Sequence, residues 1–367
     1  MKVVVLGGYG NFGARVCRAL AGDPAIELVV AGRDGRKARA LAGELQAGSA
    51  RIDAAGDELP RVLREAGAEL VIHTAGPFQA QGYGVALAAA QAGCHYVDLA
   101  DGRRFVCDFA AATDAAFRAA GRCAVSGAST VPALSSAVVD ALLPRFGALE
   151  VLDTCIAPAQ KAPRGEATLA GVLSYCGAPI EVWQGGRWQT LRGWADPKRV
   201  TFARLAPRLG ALCDIPDLEL FPRRYAPVGH VMFRAALEVA FTQRVFALLA
   251  AMHARGLLEA PQKLAGLLHR AGALFDPFGT PAGGMAVRLR GRDASGTPLA
   301  LAWHITAPDH HGPEIPCMAA ILLARRLALG PAWDPGARPC MGLLTLADFE
   351  PEFARWGMAC DTVVEAA

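Results

Sequence analysis

The chain has 367 residues, 53% of them hydrophobic, 19% charged and 7% aromatic, a balance that excludes a disordered tail or a fibre and leaves room for two domains with cores of their own. Thirty-seven basic residues stand against 34 acidic ones, a formal charge of +3. That is too even for nucleic acid or an anionic membrane to be the expected partner.

From residue 1 to about residue 130, short apolar runs alternate with helix-patterned stretches. Strands are predicted at 3–6, 28–31, 50–53, 70–74, 96–99 and 123–126, and helices at 12–21, 36–45, 58–66, 84–92 and 105–119, with glycines closing the helices. Parallel strands need crossovers of this kind, so residues 1–130 read as an α/β domain, a Rossmann doubly wound parallel sheet. After that the rhythm changes. A helix is predicted at 133–143, a strand at 149–156, a helix near 167–175 and a hairpin at 180–183 and 188–191 around Gly185-Gly186. Helical stretches at 231–254 and 260–271 follow, then a hairpin at 285–290 and 299–305 across Ser295-Gly296. Residues 131–312 therefore read as a second, α+β domain. The remainder, 313–367, holds a predicted helix at 318–329 and a stretch at 343–353, and is expected to pack back on the first domain.

Directly after the first strand comes Gly8-Tyr9-Gly10-Asn11-Phe12-Gly13, a G-x-G-x-x-G running into a helix. Such a loop makes a tight turn at Gly8, lets backbone approach a pyrophosphate at Gly10 and packs helix against strand at Gly13. Dinucleotide binding is the expectation. At the end of the second strand an acid would accept the ribose hydroxyls of NAD, whereas an arginine would meet the 2′-phosphate of NADP. Arg33 occupies that slot, and Asp34 after it reads as a helix cap. The cofactor is thus expected to be NADP(H), with Asp53-Ala54 at its adenine edge and Ala75-Gly76-Pro77-Phe78 at its nicotinamide end.

These pieces resemble the saccharopine dehydrogenase-like (saccharopine reductase-like) NADP-binding family. The carriers are GGYGNFG (7–13), AGRD (31–34), TAGPF (74–78), Gly82-Tyr83-Gly84 and CHYVDLADG (94–102). SGASTVPALSSAVVD (126–140), PEIPCMAAILLARRLALG (313–330) and PCMGLLTL (339–346) extend it over nearly the whole chain. The resemblance implies a Rossmann domain, a second domain on a mixed sheet, NADP(H), and a homodimer formed through that second domain. It carries no substrate, because Gly127-Ala128-Ser129-Thr130-Val131-Pro132 stands where saccharopine reductases have a Pro-Gly-Phe-Asp type stretch.

Hydride transfer needs groups that orient a small-molecule substrate and handle its proton. Asp98 and Asp101 are the catalytic candidates. Asp101 and Arg103, after the fifth strand, and Ser126, Ser129 and Thr130, at the end of the sixth, are the substrate candidates. No tyrosine has a lysine four residues on, which sets aside a Tyr-x-x-x-Lys mechanism. His73, inside an apolar strand, reads as a core histidine. His310 and His311 sit on a Pro/Gly loop without metal-ligand spacing, so no metal is expected. Ten scattered cysteines form no C-x-x-C pair, and no apolar run reaches the length of a membrane span. A soluble, cytoplasmic oxidoreductase is expected; a non-catalytic NADP(H)-binding sensor is the alternative, which the large second domain disfavours.

Overall fold

The computed structural model describes residues 1–163, 165–330 and 333–366. The chain begins with β1 (Lys2–Leu6), α1 (Asn11–Leu20), β2 (Glu27–Gly32), α2 (Gly35–Leu45), β3 (Gly48–Arg51) and α3 (Leu59–Glu65). Next come β4 (Leu70–His73), α4 (Gly84–Gln91), β5 (His95–Asp98), α5 (Arg103–Ala119) and β6 (Cys123–Ser126). The middle holds α6 (Ser135–Leu142), β7 (Ala148–Ala157), α7 (Glu166–Ser174), β8 (Pro179–Gln184), β9 (Arg187–Arg192), β10 (Lys198–Val200), β11 (Arg208–Leu212) and α8 (Asp217–Arg224). It continues through β12 (His230–Leu237), α9 (Ala240–Ala254), α10 (Ala265–Gly272), β13 (Gly283–Arg292) and β14 (Pro298–Ala307). Last are α11 (Ile315–Leu329), β15 (Gly336–Pro339), α12 (Leu346–Arg355) and β16 (Ala359–Val364).

Two compact units result. The first comprises Met1–Leu134 and Glu314–Leu344, the second Ser135–Pro313 and Thr345–Ala367. In the first, seven parallel strands lie in the order β15-β6-β5-β4-β1-β2-β3. β1 is central because Val3, Val4 and Val5 are wholly buried, and burying each such side chain is worth about 1.5–3 kcal/mol. Strand order reverses at β1, with β2 on one side and β4 on the other. That reversal opens a crevice at the carboxyl ends of the strands, where the loops after β1, β2, β4, β5 and β6 gather. α11 lies along α1: Arg325 bonds the Ala19 carbonyl at 2.9 Å, and the Cys317 thiol faces the Phe12 carbonyl at 3.6 Å.

The second unit is built on a mixed sheet, β10-β11-β12-β7-β13-β14-β16, with the β8–β9 hairpin joined to β12. β12 and β7 run parallel; the other pairs are antiparallel. The Trp183 and Trp188 rings meet edge to face across the β8–β9 register, 5.1 Å apart.

Several elements differ from expectation, among them β10, β11 and α8, which lie where none was predicted. The predicted helix at 231–254 is a strand, β12, followed by α9: Val231, Phe233 and Ala235 are buried while Met232 and Arg234 between them are half-buried, a period of two hidden by the apolar helix that follows. β3 ends at Arg51 rather than at Asp53. The first sheet gains a seventh strand, β15, from far down the chain. The segment 313–367 also divides, since α12 and β16 belong to the second unit, where β16 pairs with β14; residues 331, 332 and 367 of it lie outside the described residues.

All ten cysteines are free, and eight of them are buried. Among the described residues no helix is long and apolar enough to cross a membrane.

Candidate cofactor site

The glycine loop is held flat on the sheet. Gly7 turns the chain off β1 at φ +79°, the Gly8 N–H donates to the Ala31 carbonyl at 2.9 Å, and the Gly10 N–H donates to the Gly7 carbonyl at 2.8 Å. A Cβ on Gly8 would lie 2.9 Å from the Val5 carbonyl oxygen. One on Gly13 would strike the Gly7 carbonyl and lie 2.6 Å from Thr74 Oγ1. A side chain at either place would lift α1 off the strands. Gly10 caps α1 without a side-chain hydrogen bond, and the first turn carries no acid, so the amide dipoles at this helix end favour an anion. One turn on, Arg15 bonds Asn11 Oδ1 at 2.7 Å and pairs with Glu314 at 2.9 Å, which offsets its charge. The cradle fits a pyrophosphate.

At the end of β2, Arg33 is exposed and forms no ion pair among the described residues. Asp34 is turned to other work: its carboxylate accepts the N–H groups of Arg36 at 2.9 Å and Lys37 at 3.2 Å, capping α2. Those bonds, that from Lys37 foremost, hold the carboxyl below its ordinary range. Tyr9, from the glycine loop, accepts the Asp34 N–H on its phenol oxygen at 2.9 Å. Arg51 and Arg39 stand beside the start of α2, with Arg51 Cβ 3.3 Å and Arg39 Nη1 3.8 Å from where a Cβ on Gly35 would be. Asp53 is exposed and accepts the Ala55 N–H at 3.1 Å, closing the turn that carries Ala54.

Beyond β4, Thr74 ties the loop to β1, bonding the Leu6 carbonyl through Oγ1 at 2.8 Å. Gln81 reaches back to the Ala75 and Pro77 carbonyls at 2.7 and 2.9 Å, so the Gly76-Pro77 turn is fastened from within. The Phe78 ring is buried against His73 and Phe105, with centroids 5.0 and 5.2 Å away; only its backbone can face a cofactor. His73 bonds the Tyr96 hydroxyl through Nδ1 at 3.0 Å, and burial lowers its pKa to about 4. It is a neutral core residue.

Asp98, at the end of β5, has no exposed surface. Its Oδ1 accepts the Ser126 hydroxyl at 3.0 Å and the N–H groups of Gly127 at 2.8 Å and Ala100 at 3.0 Å. Burial pushes its pKa up to about 6 against those bonds. This carboxyl ties β5 to β6, and the Ser126 hydroxyl is bonded to it. Asp101 differs. The residue reaches solvent, its carboxyl is held by the Gln79 amide at 3.0 Å, and burial of that carboxyl raises its pKa above the ordinary range against the Gln79 bond. Arg103 is buried in the first turn of α5, Ser129 is buried, and Thr130 is half-exposed. The loops after β4 and β5 therefore meet at Gln79 and Asp101, 22 residues apart in sequence, a junction with no linear signal. Tyr9 was readable, being the residue inside the glycine motif itself.

Residues 3–131 match the family model of the saccharopine dehydrogenase NADP binding domain. That stretch holds the glycine loop, Arg33 and Asp101. With the cradle at Gly7–Gly13, that makes a nicotinamide dinucleotide the cofactor of the site. No curated protein matches by sequence. Among solved structures, apo saccharopine dehydrogenase (L-Glu forming) from Saccharomyces cerevisiae has a TM-score of 0.72 at 14% identity, with 100% of each chain covered. The homospermidine synthase of Legionella pneumophila, in complex with NAD, gives 0.66 at 11%, covering 99% of this chain and 91% of its own. Amine dehydrogenase from Mycobacterium smegmatis gives 0.51 at 10%, with 95% of each covered. At these identities the likeness of the chain to them is one of fold.

Proposed function

We propose that the chain is an NADP(H)-dependent oxidoreductase that moves a hydride to or from a small polar, amine-bearing substrate. The observation that carries the cofactor choice is at the end of β2: Arg33 is exposed and forms no ion pair among the described residues, while the neighbouring acid, Asp34, is committed to capping α2. Arg33 would hold the 2′-phosphate, and the start of α1 the pyrophosphate. Bound nicotinamide supplies or accepts the hydride. Asp101, steadied by Gln79, would then meet the substrate's ammonium or pass its proton, because it is the solvent-reachable carboxyl where the loops of β4 and β5 join. The names of the structural neighbours, two dehydrogenases and a synthase of a polyamine, agree with an amine-bearing substrate.

Fluorescence titration with both cofactors tests the first half. Native protein is expected to bind NADPH more tightly than NADH, and Arg33→Ala to lose about tenfold or more for NADPH alone, the scale of a charge-assisted hydrogen bond. Equal affinity in the native protein overturns the assignment. A metabolite screen read at NADPH absorbance tests the second half, with Asp101→Asn expected to depress kcat/KM for any substrate found; unchanged turnover removes Asp101 from the site.

A further inference from the structure

The residue between the first two glycines of the G-x-G-x-x-G is a tyrosine. The Tyr9 ring covers the last residue of β2: a Cβ built on Gly32 would lie 2.5 Å from Tyr9 Cε1 and 3.0 Å from its Oη. No side chain fits at position 32 while the ring is there. Positions 32 and 33 are where an acid that recognises ribose hydroxyls would stand. The ring closes one, and Arg33 fills the other.

The phenol's hydrogen bonding is equally directed. Its oxygen accepts the Asp34 N–H at 2.9 Å, and among the described residues it makes no other hydrogen bond. A hydroxyl carries one hydrogen to donate, and accepting an amide N–H strengthens that donor through polarisation. Tyr9 is half-buried, so the ring is anchored while its tip stays reachable. The Arg33 backbone is one residue from the amide that holds it.

We infer that Tyr9 is a specificity-determining residue for the 2′-phosphate of NADP. Its Oη–H donates to a phosphate oxygen beside the Arg33 guanidinium, and its ring, seated over Gly32, keeps out the acid that an NAD site requires. This rests on the NADP reading above and extends it by one residue. A neutral phenol donating to a phosphate makes a charge-assisted bond; to the unmodified ribose hydroxyl of NADH it makes an ordinary one. The discrimination lies in that difference.

Tyr9→Phe keeps the ring and removes only the donor. The probes are NADPH, NADH and 2′,5′-ADP, which carries the phosphate without the nicotinamide, each titrated by fluorescence or calorimetry. Tyr9→Phe is expected to weaken NADPH and 2′,5′-ADP by about tenfold, the equivalent of about 1.4 kcal/mol, and NADH by less than about twofold. Gly32→Ala, which displaces the ring, is expected to lower the NADPH preference in the same direction. Equal losses for NADPH and NADH would make the tyrosine a brace for the loop and overturn the inference, as would no loss at all. If Arg33→Ala abolishes the preference for NADPH while Tyr9→Phe leaves it intact, Tyr9 fails and the NADP reading stands. If the native protein shows no preference, both fall together.

Discussion

Burying a carboxyl away from partners ties stability to pH, and Asp217, the first residue of α8, is such a group. It is 1% exposed, and neither oxygen has a well-formed hydrogen bond. Burial raises its pKa to about 7, with the Ser135 hydroxyl relieving only part of the cost. In the unfolded chain the same group titrates near an ordinary aspartate, about 3.9. Between those values the folded protein holds a proton that the unfolded chain has released. Stability therefore falls as pH rises through that window and is lowest above about pH 7, by an amount on the order of a few kcal/mol. Asp217→Asn removes the dependence: relative to the native protein it should gain melting temperature at pH 8 and little at pH 4. A difference between the two proteins that is flat with pH would refute the buried-acid account.

The loop and helix that open the first unit act as one element, and a single methyl group tests it. Gly13→Ala places a Cβ against the Gly7 carbonyl and Thr74 Oγ1, contacts that can be relieved only by moving α1. Calorimetry is expected to show cofactor affinity reduced at least tenfold, with a lowered melting temperature; affinity within twofold of native would mean that the helix packs less tightly than its contacts indicate. Legibility in the sequence follows the same physics. The glycines could be read because backbone geometry demands them, and β1, β4, β5 and β6 because strands buried on both faces are short apolar runs. β15, Gly-Ala-Arg-Pro, carries no such pattern: its place comes from pairing with β6 and from Asp114 Oδ1, which accepts the Ala337 N–H at 2.9 Å. β12 was concealed because Phe233 and Ala235 fit a helix as well as a strand. At the site, the hydrogen-bond partners of Asp98, Ser126 and Gly127, lie 28 and 29 residues on, and only the fold brings them to it.

For the whole molecule, the cofactor unit is discontinuous: Cys123 of β6 pairs with Gly336 of β15, with the second unit intervening in the chain. A protein ending at residue 313 keeps every residue of the glycine loop, Arg33 and Asp101, yet loses α11, β15 and the Glu314 partner of Arg15. Such a truncation is expected to leave a first unit whose melting temperature is lowered or whose transition is lost, read by circular dichroism, with β6 as an unprotected sheet edge prone to association. Full native stability after truncation would show that the returning segment is dispensable.

β15 also sets an order of events during synthesis. The strands that bear the glycine loop leave the ribosome first, but the strand that closes their sheet follows only after residues 135–313 have been made, a delay of about 10–40 s at ~5–20 residues per second. Throughout that interval the nascent sheet presents the bare edge of β6. An intervening segment that folds early replaces a long flexible loop with a short effective one and lowers the entropic cost of bringing β15 home. Closure of the cofactor unit's sheet at β6 therefore waits on β15 rather than on the glycine motif.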